Sequence, residues 1–184
     1  HVGLRDLDLG QLVVGLALQH LEDVEAGAGA HRADDVAHAR ALAERLDYVG
    51  VFALELFCRD GTLLANELAP RVHNSGHWTI EGSETSQFQN HLRAVLGLPL
   101  GDTRMLGVAC MLNWIGEMPD AVAVLGEASG HWHDYGKEPR AGRKVGHATL
   151  RADDAATLAQ ALQHVGTALD RQAQVSPVVA RLME

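Results

Sequence analysis

Apolar and polar positions along the chain follow a helical period first and then two strand-like runs. Residues 34–46 carry apolar side chains at helical spacing behind two aspartates, which suit a helix N-terminus because of capping and the helix dipole. Residues 48–57 and 62–68 are apolar runs on either side of an Asp-Gly pair, and this pattern predicts a β-hairpin. Residues 1–33 contain one further strand-like run, 12–18, and a loose connection of alternating Ala and Gly.

The rest of the chain mixes helix and strand signals without a regular alternation. Residues 71–82 are polar and rich in His, Asn, Ser and Gly, which favours a loop, and apolar spacing predicts a helix over 86–96. The remaining predicted elements are strands at 108–115, 131–135 and 145–150, a short helix at 120–125 and a long helix from residue 153. The expected inward face of that long helix consists of Leu158, Leu162, Val165 and Leu169. Residues 172–184 show no clear pattern, and the whole indicates an α+β fold of antiparallel hairpins with packed helices.

Composition narrows the classes of partner. The chain has 184 residues, of which 47% are hydrophobic and 21% charged, a profile typical of soluble globular proteins. A formal net charge of −9 argues against non-specific binding to nucleic acid or to an anionic membrane surface, so we expect neither partner. An anionic ligand would therefore need a local basic site.

Two glutamates interrupt the apolar strands of the predicted hairpin. Glu55 and Glu67 are 12 residues apart, so a three-residue loop would place both side chains on one face of the sheet. A two-residue loop would bring Asn66 to that face instead. Facing carboxylates are destabilising unless a cation lies between them, and such oxygen ligands suit Mg²⁺ bound with nucleotide phosphates. The pattern predicts a metal site, with solvent-facing acidic positions as the alternative.

A run of eight functional residues, Arg-Val-His-Asn-Ser-Gly-His-Trp at 71–78, begins four residues after Glu67. Arg71 offers a planar fork for a carboxylate, bicarbonate or phosphate. His73 can donate a hydrogen bond or move a proton near neutral pH, and Gly76 permits close approach of the backbone. A hydrogen-bonded surface loop is the alternative, but this density of functional side chains beside Glu67 favours a site.

A basic loop stands out in an otherwise acidic chain. Residues 137–144 hold four of the 15 Lys and Arg residues, and glycines at 136 and 142 give the loop flexibility. The local charge predicts a phosphate site, with a solvated surface loop as the alternative. The sequence lacks GxxxxGK[ST], so this loop is not a P-loop.

One family combines all three features in this order. Residues 66–79, Asn-Glu-Leu-Ala-Pro-Arg-Val-His-Asn-Ser-Gly-His-Trp-Thr, resemble the signature of the 5-(carboxyamino)imidazole ribonucleotide synthases, ATP-grasp enzymes of purine biosynthesis. The resemblance extends to Tyr-Val-Gly-Val at 48–51, Ser-Gln-Phe at 86–88, His-Leu-Arg-Ala at 91–94 and Gly-Arg-Lys-Val-Gly-His at 142–147. It covers residues 46–169, and related ATP-grasp carboxylases do not share the run Asn-Ser-Gly-His-Trp.

The resemblance implies a cytoplasmic, ATP-binding ligase. Such an enzyme uses ATP, Mg²⁺ and bicarbonate to carboxylate 5-aminoimidazole ribonucleotide through carboxyphosphate, and it is expected to form a homodimer. The roles implied for this sequence are Glu55 and Glu67 at the metal; Asn66 and Glu67 at ATP; Arg71, His73 and Lys137 in catalysis; and Asn74, Ser75, Lys137, Arg143 and Lys144 at the ribonucleotide.

The chain also departs from the family. Its members carry an N-terminal domain and a nucleotide-covering domain with lysines and a Gly-rich loop ahead of the matching region, and residues 1–33 match poorly. We expect a fragment that folds at least in part without carboxylating on its own. Its expected parts are the C-terminal part of an ATP-grasp domain (1–100), a small β-rich C-terminal domain with the basic loop (101–172) and a tail (173–184). The alternatives are a non-catalytic ATP-grasp remnant and another ATP-grasp ligase with a different acceptor.

Overall fold

Contacts divide the protein into two compact units. The computed structural model describes residues 10–18, 25–26, 33–59 and 62–183. Unit 1 comprises the described residues up to 77 together with 85–103, and unit 2 comprises 78–84 together with 104–183. Among these described residues, no helix has the length and apolar character needed to cross a membrane.

Unit 1 is a four-stranded antiparallel sheet with two helices. Its strands are β1 (Gly10–Leu18), β2 (Glu25–Ala26), β3 (Gly50–Arg59) and β4 (Thr62–Ala69), in the spatial order β2-β1-β3-β4. Its helices are α1 (Ala33–Leu46) and α3 (Gln87–Val95). Strand β3 lies between β1 and β4, and its side chains from Val51 to Leu56 are buried on both faces, apart from the partly buried Glu55. The hairpin predicted from the Asp-Gly pair is confirmed, since Arg59 pairs with Thr62.

Helix α3 is fastened to the start of β3 by side-chain hydrogen bonds. The ring nitrogen Nδ1 of His91 accepts from the backbone N–H of Val51 at 3.0 Å, and the Tyr48 hydroxyl donates to the Val51 carbonyl at 2.9 Å. Gly50 has a φ of +135°, and a Cβ there would lie 2.9 Å from both the His91 ring and the Tyr48 hydroxyl. The close approach of these two side chains therefore requires glycine at this position.

The predicted helix over 86–96 exists as α3, but its apolar stripe is not its buried side. Leu92 is 61% and Leu96 69% exposed, whereas Asn90 is 1% exposed. Asn90 binds the backbone of Gly101, accepting from its N–H at 2.8 Å and donating to its carbonyl at 3.3 Å. A polar side chain thus anchors the following loop, which the apolar period could not indicate.

Unit 2 packs two long helices on a three-stranded antiparallel sheet. Its elements are α2 (Thr79–Gly82), β5 (Val108–Ile115), α4 (Val122–Leu125), β6 (Gly130–Asp134), β7 (Lys144–Ala152), α5 (Ala155–Ala168) and α6 (Gln172–Leu182). The sheet order is β5-β7-β6, and the core gathers around Trp114, Leu150 and Leu162. The predicted inward face of α5 is confirmed, with Leu158, Leu162 and Val165 buried and Leu169 packed against the same core.

Two segments differ from the expectation from sequence. Residues 71–82 were expected to be a loop, but they contain a 3₁₀ turn at Asn74–Gly76 and the short helix α2. Residues 172–182 form α6 although Pro177 lies inside it, because Val175 and Val179 join the core of unit 2. Tertiary packing here outweighs the low helix propensity of proline. Helices and antiparallel sheets together confirm the α+β class.

Candidate functional site

A β-bulge in unit 1 brings the two predicted metal ligands and Asn66 to one place. Glu55 pairs directly with Glu67, but the next residue, Leu56, pairs with Ala65, so Asn66 is the extra residue of the bulge on β4. Directly paired residues share a face of the sheet. The Asn66 amide donates to Oε2 of Glu55 at 3.0 Å. The bulge therefore combines the two loop-length alternatives, with both carboxylates in register and the amide beside them.

The two carboxylates differ in access to water. The side chain of Glu55 is 13% exposed and that of Glu67 is 49% exposed. A largely buried carboxylate is stable only when hydrogen bonds or a cation compensate its charge. The donor set of two carboxylates and a neighbouring amide is the oxygen-rich kind that Mg²⁺ prefers. These residues consequently fit a magnesium ion.

His73 points at the buried carboxylate with a defined ring nitrogen. Its Nε2 lies 3.5 Å from Oε1 of Glu55, and its side chain is 10% exposed. Its Nδ1 accepts from the backbone N–H of Ser75 at 3.3 Å and lies 2.9 Å from the Ser75 hydroxyl. Because a backbone N–H can only donate, Nδ1 of the neutral ring carries no proton, and the proton resides on Nε2, facing Glu55.

Gln87 fixes the backbone of His73 from 14 residues away. Its Oε1 accepts from the His73 N–H at 3.0 Å, and its Nε2 donates to the His73 carbonyl at 2.8 Å. The same amide lies against Gly76, where a Cβ would come within 2.5 Å of Oε1. Sequence reasoning missed Gln87 as a site residue. The sequence feature that could have identified Gln87 is the Ser-Gln-Phe run at 86–88, which forms part of the family resemblance.

Arg71 lies at the open edge of the same cluster. Its Nη2 is 3.7 Å from Oε1 of Glu67, both side chains are well exposed, and its Nη1 donates to the Val72 carbonyl at 3.0 Å. An exposed pair of this kind contributes only about 0–1 kcal/mol, so the guanidinium can exchange it for an anionic ligand at small cost. The predicted site residues that the structure gathers in unit 1 are Glu55, Asn66, Glu67, Arg71, His73, Asn74 and Ser75.

The basic loop of unit 2 connects β6 to β7. It carries the other predicted site residues, Lys137, Arg143 and Lys144. The Lys137 amine lies 5.0 Å from the centre of the Tyr135 ring, a cation–π distance. The Arg143 guanidinium donates to the Glu138 carbonyl at 3.3 Å, and the Arg143 carbonyl accepts from the N–H of Gly116 at 2.8 Å. These contacts hold the loop while leaving Lys137 exposed.

A second cluster in unit 2 has no counterpart in the sequence interpretation. Glu81, His133 and His147 hold ligand-type atoms within 4.8 Å of one another. The two rings, however, stack with centroids 4.2 Å apart and planes 13° apart. A metal ion lies in the plane of each imidazole that binds it, and parallel stacked planes cannot share one point. The arrangement is therefore that of a hydrogen-bonded network.

Two family models match separate parts of the chain. Residues 21–88 match the ATP-grasp domain, and residues 109–161 match the phosphoribosylaminoimidazole carboxylase C-terminal domain. An N5-carboxyaminoimidazole ribonucleotide synthase of Pseudomonas aeruginosa is 65% identical over 114 residues, which are 62% of this chain and 32% of that protein. One of Vibrio cholerae is 52% identical over 134 residues, 73% of this chain and 36% of its own length.

Solved structures agree with these matches. N5-carboxyaminoimidazole ribonucleotide synthetase from Thermus thermophilus superposes with a TM-score of 0.73 at 44% identity, covering 88% of this chain and 51% of its own. The synthase from Aspergillus clavatus, in complex with ADP and 5-aminoimidazole ribonucleotide, gives 0.71 at 28% identity, covering 90% and 52%. The chain thus spans about a third of the length of the curated relatives and about half of the solved ones.

Proposed function

Because the chain belongs to the family of N5-carboxyaminoimidazole ribonucleotide synthases, we propose that it forms part of an enzyme that uses ATP and bicarbonate to carboxylate 5-aminoimidazole ribonucleotide. The observation that carries the proposal is the cluster in unit 1, where His73, Glu55 and the bulge residue Asn66 meet beside Glu67. The Aspergillus clavatus relative, in complex with ADP and the ribonucleotide, supports the same pair of ligands for this chain.

In this proposal Glu55 and Glu67 hold Mg²⁺, and Asn66 lies at the nucleotide. A magnesium ion held by these carboxylates would supply positive charge that neutralises the ATP phosphates. Glu55 is prepared for the role because Asn66 donates to one of its oxygens and His73 lies 3.5 Å from the other. Residues that orient a ligand in this way commonly change metal affinity or activity by about 10–100-fold when replaced.

Arg71 and His73 serve the carboxyl group that is transferred. The exposed fork of Arg71 can bind bicarbonate or the carboxylate product with two parallel hydrogen bonds. His73 carries its proton at Nε2, at the inner end of the cluster, where it can donate to an oxygen that gains charge. Ser75 fixes that tautomer, and Asn74 opens the same 3₁₀ turn. In this proposal both residues contact the ribonucleotide.

The loop of unit 2 serves the phosphate of the ribonucleotide. Lys137, Arg143 and Lys144 supply the local positive charge that an acidic protein needs to bind a phosphomonoester. The domain boundary near residue 100, a cytoplasmic location and a homodimer also belong to the proposal. The last two rest on the family resemblance.

The test is a chimera in which the upstream part of the Pseudomonas aeruginosa synthase is joined to this chain. We expect loss of the primary amine of 5-aminoimidazole ribonucleotide that requires both ATP and bicarbonate. The double variant Glu55→Gln, Glu67→Gln should abolish it while the fold, followed by circular dichroism, is kept. ATP hydrolysis without loss of the amine would instead indicate a ligase with a different acceptor.

A further inference from the structure

The amine of Lys137 lies over an aromatic ring that is itself held in place. Lys137 is exposed in the loop after β6, so nothing in its own flexible stem fixes its direction. The Tyr135 ring, 5.0 Å away, attracts the ammonium group and limits the directions it explores. A lysine whose direction is restricted in advance loses less freedom when it binds a phosphate.

Tyr135 is anchored from behind by a buried histidine. Its hydroxyl lies 2.8 Å from Nδ1 of His147, which is 1% exposed, and its backbone N–H donates to the Val145 carbonyl at 3.0 Å. His147 is on β7, the central strand of the sheet, so Tyr135 is tied to the most rigid part of unit 2.

His147 is in turn connected, through His133, to the largely buried carboxylate of Glu81. His147 stacks on His133, and Nε2 of His133 lies 2.7 Å from Oε1 of Glu81, a distance that requires a shared proton. The Glu81 side chain is 9% exposed, and its Oε2 has no hydrogen-bond partner among the described residues. A buried carboxylate with half of its acceptors unused depends on this one bond, so Glu81 holds His133, and through the stack His147, in a single orientation.

We propose that Glu81, His133, His147 and Tyr135 form a positioning network that holds the Lys137 amine for the phosphate of the substrate. The network runs through successive contacts of 2.7, 4.2, 2.8 and 5.0 Å within unit 2. It rests on the proposed phosphate role of the basic loop, and it gives four residues a positioning role that acts through Lys137.

Two readouts on the 184-residue chain test the network. The first is the proton chemical shift of the Lys137 ε-methylene in NMR, which the Tyr135 ring moves upfield. The second is the affinity for ribose 5-phosphate by titration. Tyr135→Leu should abolish the upfield shift and weaken binding about two- to fivefold. Tyr135→Phe keeps the ring but not its bond to His147, so it should restore most of the affinity lost in Tyr135→Leu, with a reduced shift.

Glu81→Gln keeps the size of the side chain and removes its charge. It should reduce both the upfield shift of the Lys137 methylene and the affinity for ribose 5-phosphate, as Tyr135→Leu does but to a smaller extent. His131→Gln, an exposed position on the same strand β6, is the matched control and should change neither readout. If Glu81→Gln fails to fold by circular dichroism, Tyr135→Phe still decides, because a wild-type shift in that variant means that the bond to His147 positions nothing.

The possible failures are distinguishable. If neither the wild type nor Lys137→Ala binds ribose 5-phosphate, the phosphate role of the loop is wrong, and the network proposal falls with it. If Lys137→Ala loses binding but Tyr135→Leu equals the wild type in both readouts, the network alone is overturned. A rise in melting temperature on adding Zn²⁺ to the wild type, absent in Glu81→Gln, would make the cluster a metal site and also overturn the proposal.

Discussion

In each unit, one histidine lies beside one glutamate whose side chain is largely buried. In unit 1, His73 and Glu55 are 3.5 Å apart, and in unit 2, His133 and Glu81 are 2.7 Å apart. The second oxygen of Glu55 accepts from Asn66 beside the exposed Glu67, whereas the second oxygen of Glu81 has no hydrogen-bond partner among the described residues. The looser pair lies beside the exposed Glu67, and the tighter one is backed by a stacked ring.

The difference shows that residue type and burial do not by themselves mark a reactive site. A pair that binds a ligand needs an open side with further donors and acceptors directed at it, and the Glu55 pair has Glu67 and Arg71 there. The Glu81 pair has His147 in that place instead. We therefore propose a chemical role for the first pair and a positioning role for the second.

Replacing the histidine of each pair should give the largest difference between the two units. In the chimera, His73→Asn should lower kcat about a hundredfold or more, because a positioned acid–base group commonly contributes about 10²–10⁴-fold. His133→Asn should leave kcat within a few fold and raise the KM for the ribonucleotide, since in the proposed network His133 acts through Lys137. Steady-state kinetics with each substrate varied in turn give both constants. Equal losses of kcat would mean that the two pairs do the same work.

Replacing cationic residues of the basic loop should affect the KM for the ribonucleotide and not the KM for ATP. Lys137→Ala and Arg143→Ala should each raise the KM for the ribonucleotide about tenfold to a hundredfold and leave the KM for ATP nearly unchanged, because a charged hydrogen bond to phosphate is lost. Arg140→Ala removes a charge from the same loop and controls for general electrostatics. Similar effects on both substrates would show that the loop is structural.

Alanine at two glycine positions, one crowded and one open, should lower the free energy of unfolding by different amounts. Gly76→Ala would push the Gln87 amide away from His73, so we expect a loss of about 1–3 kcal/mol in the free energy of unfolding. Gly142 faces open space, but its φ of +74° disfavours a side chain, so Gly142→Ala should cost about 1 kcal/mol. Urea unfolding of both variants gives the numbers, and a larger loss for Gly142→Ala would contradict this account of Gly76.

The N-terminal caps of α3 and α5 should contribute to stability with a different dependence on pH. Ser86 accepts from the Gln89 N–H at the start of α3, and Ser86→Ala should cost about 1 kcal/mol at any pH. At the start of α5, hydrogen bonds from the backbone N–H and then the hydroxyl of Thr157 hold the pKa of Asp154 below its ordinary value. A lowered pKa means stability that is present above the usual carboxyl range and lost as the pH falls through the lowered pKa.

Thermal unfolding at pH 7 and pH 3 tests this difference. The gap in melting temperature between the wild type and Asp154→Ala should shrink at pH 3, and the gap for Ser86→Ala should stay constant. A gap for Asp154→Ala that grows at low pH would show that the cap is not the ionised carboxylate.

Local patterns predicted most of the elements of the fold. The Asp-Gly pair fixed the hairpin because that turn depends on adjacent residues, and helical spacing found α5 with its buried face. The same spacing found α3 but not its orientation, since the buried Asn90 serves a loop 11 residues away. Helix α6 was missed because Val175 and Val179 are stabilised by contacts distant in sequence.

The candidate site was predictable as a set of residues but not as an arrangement. Glu55, Glu67 and His73 were named from residue type and resemblance, yet their partners depend on the bulge at Asn66 and on Gln87. A bulge changes register by one residue without any local turn signal. The contact of Glu81 with His133 joins residues 52 positions apart, and no short pattern carries such a separation.

The Gln87 amide has a consequence for the local opening of the protein. The N–H of His73 donates to the Gln87 side chain in the first turn of α3, so it meets solvent when that side chain rotates away or that turn loosens. Exchange of this amide hydrogen with deuterium should therefore be faster in Gln87→Ala than in the wild type. The protection of this buried histidine thus depends on a residue 14 positions away.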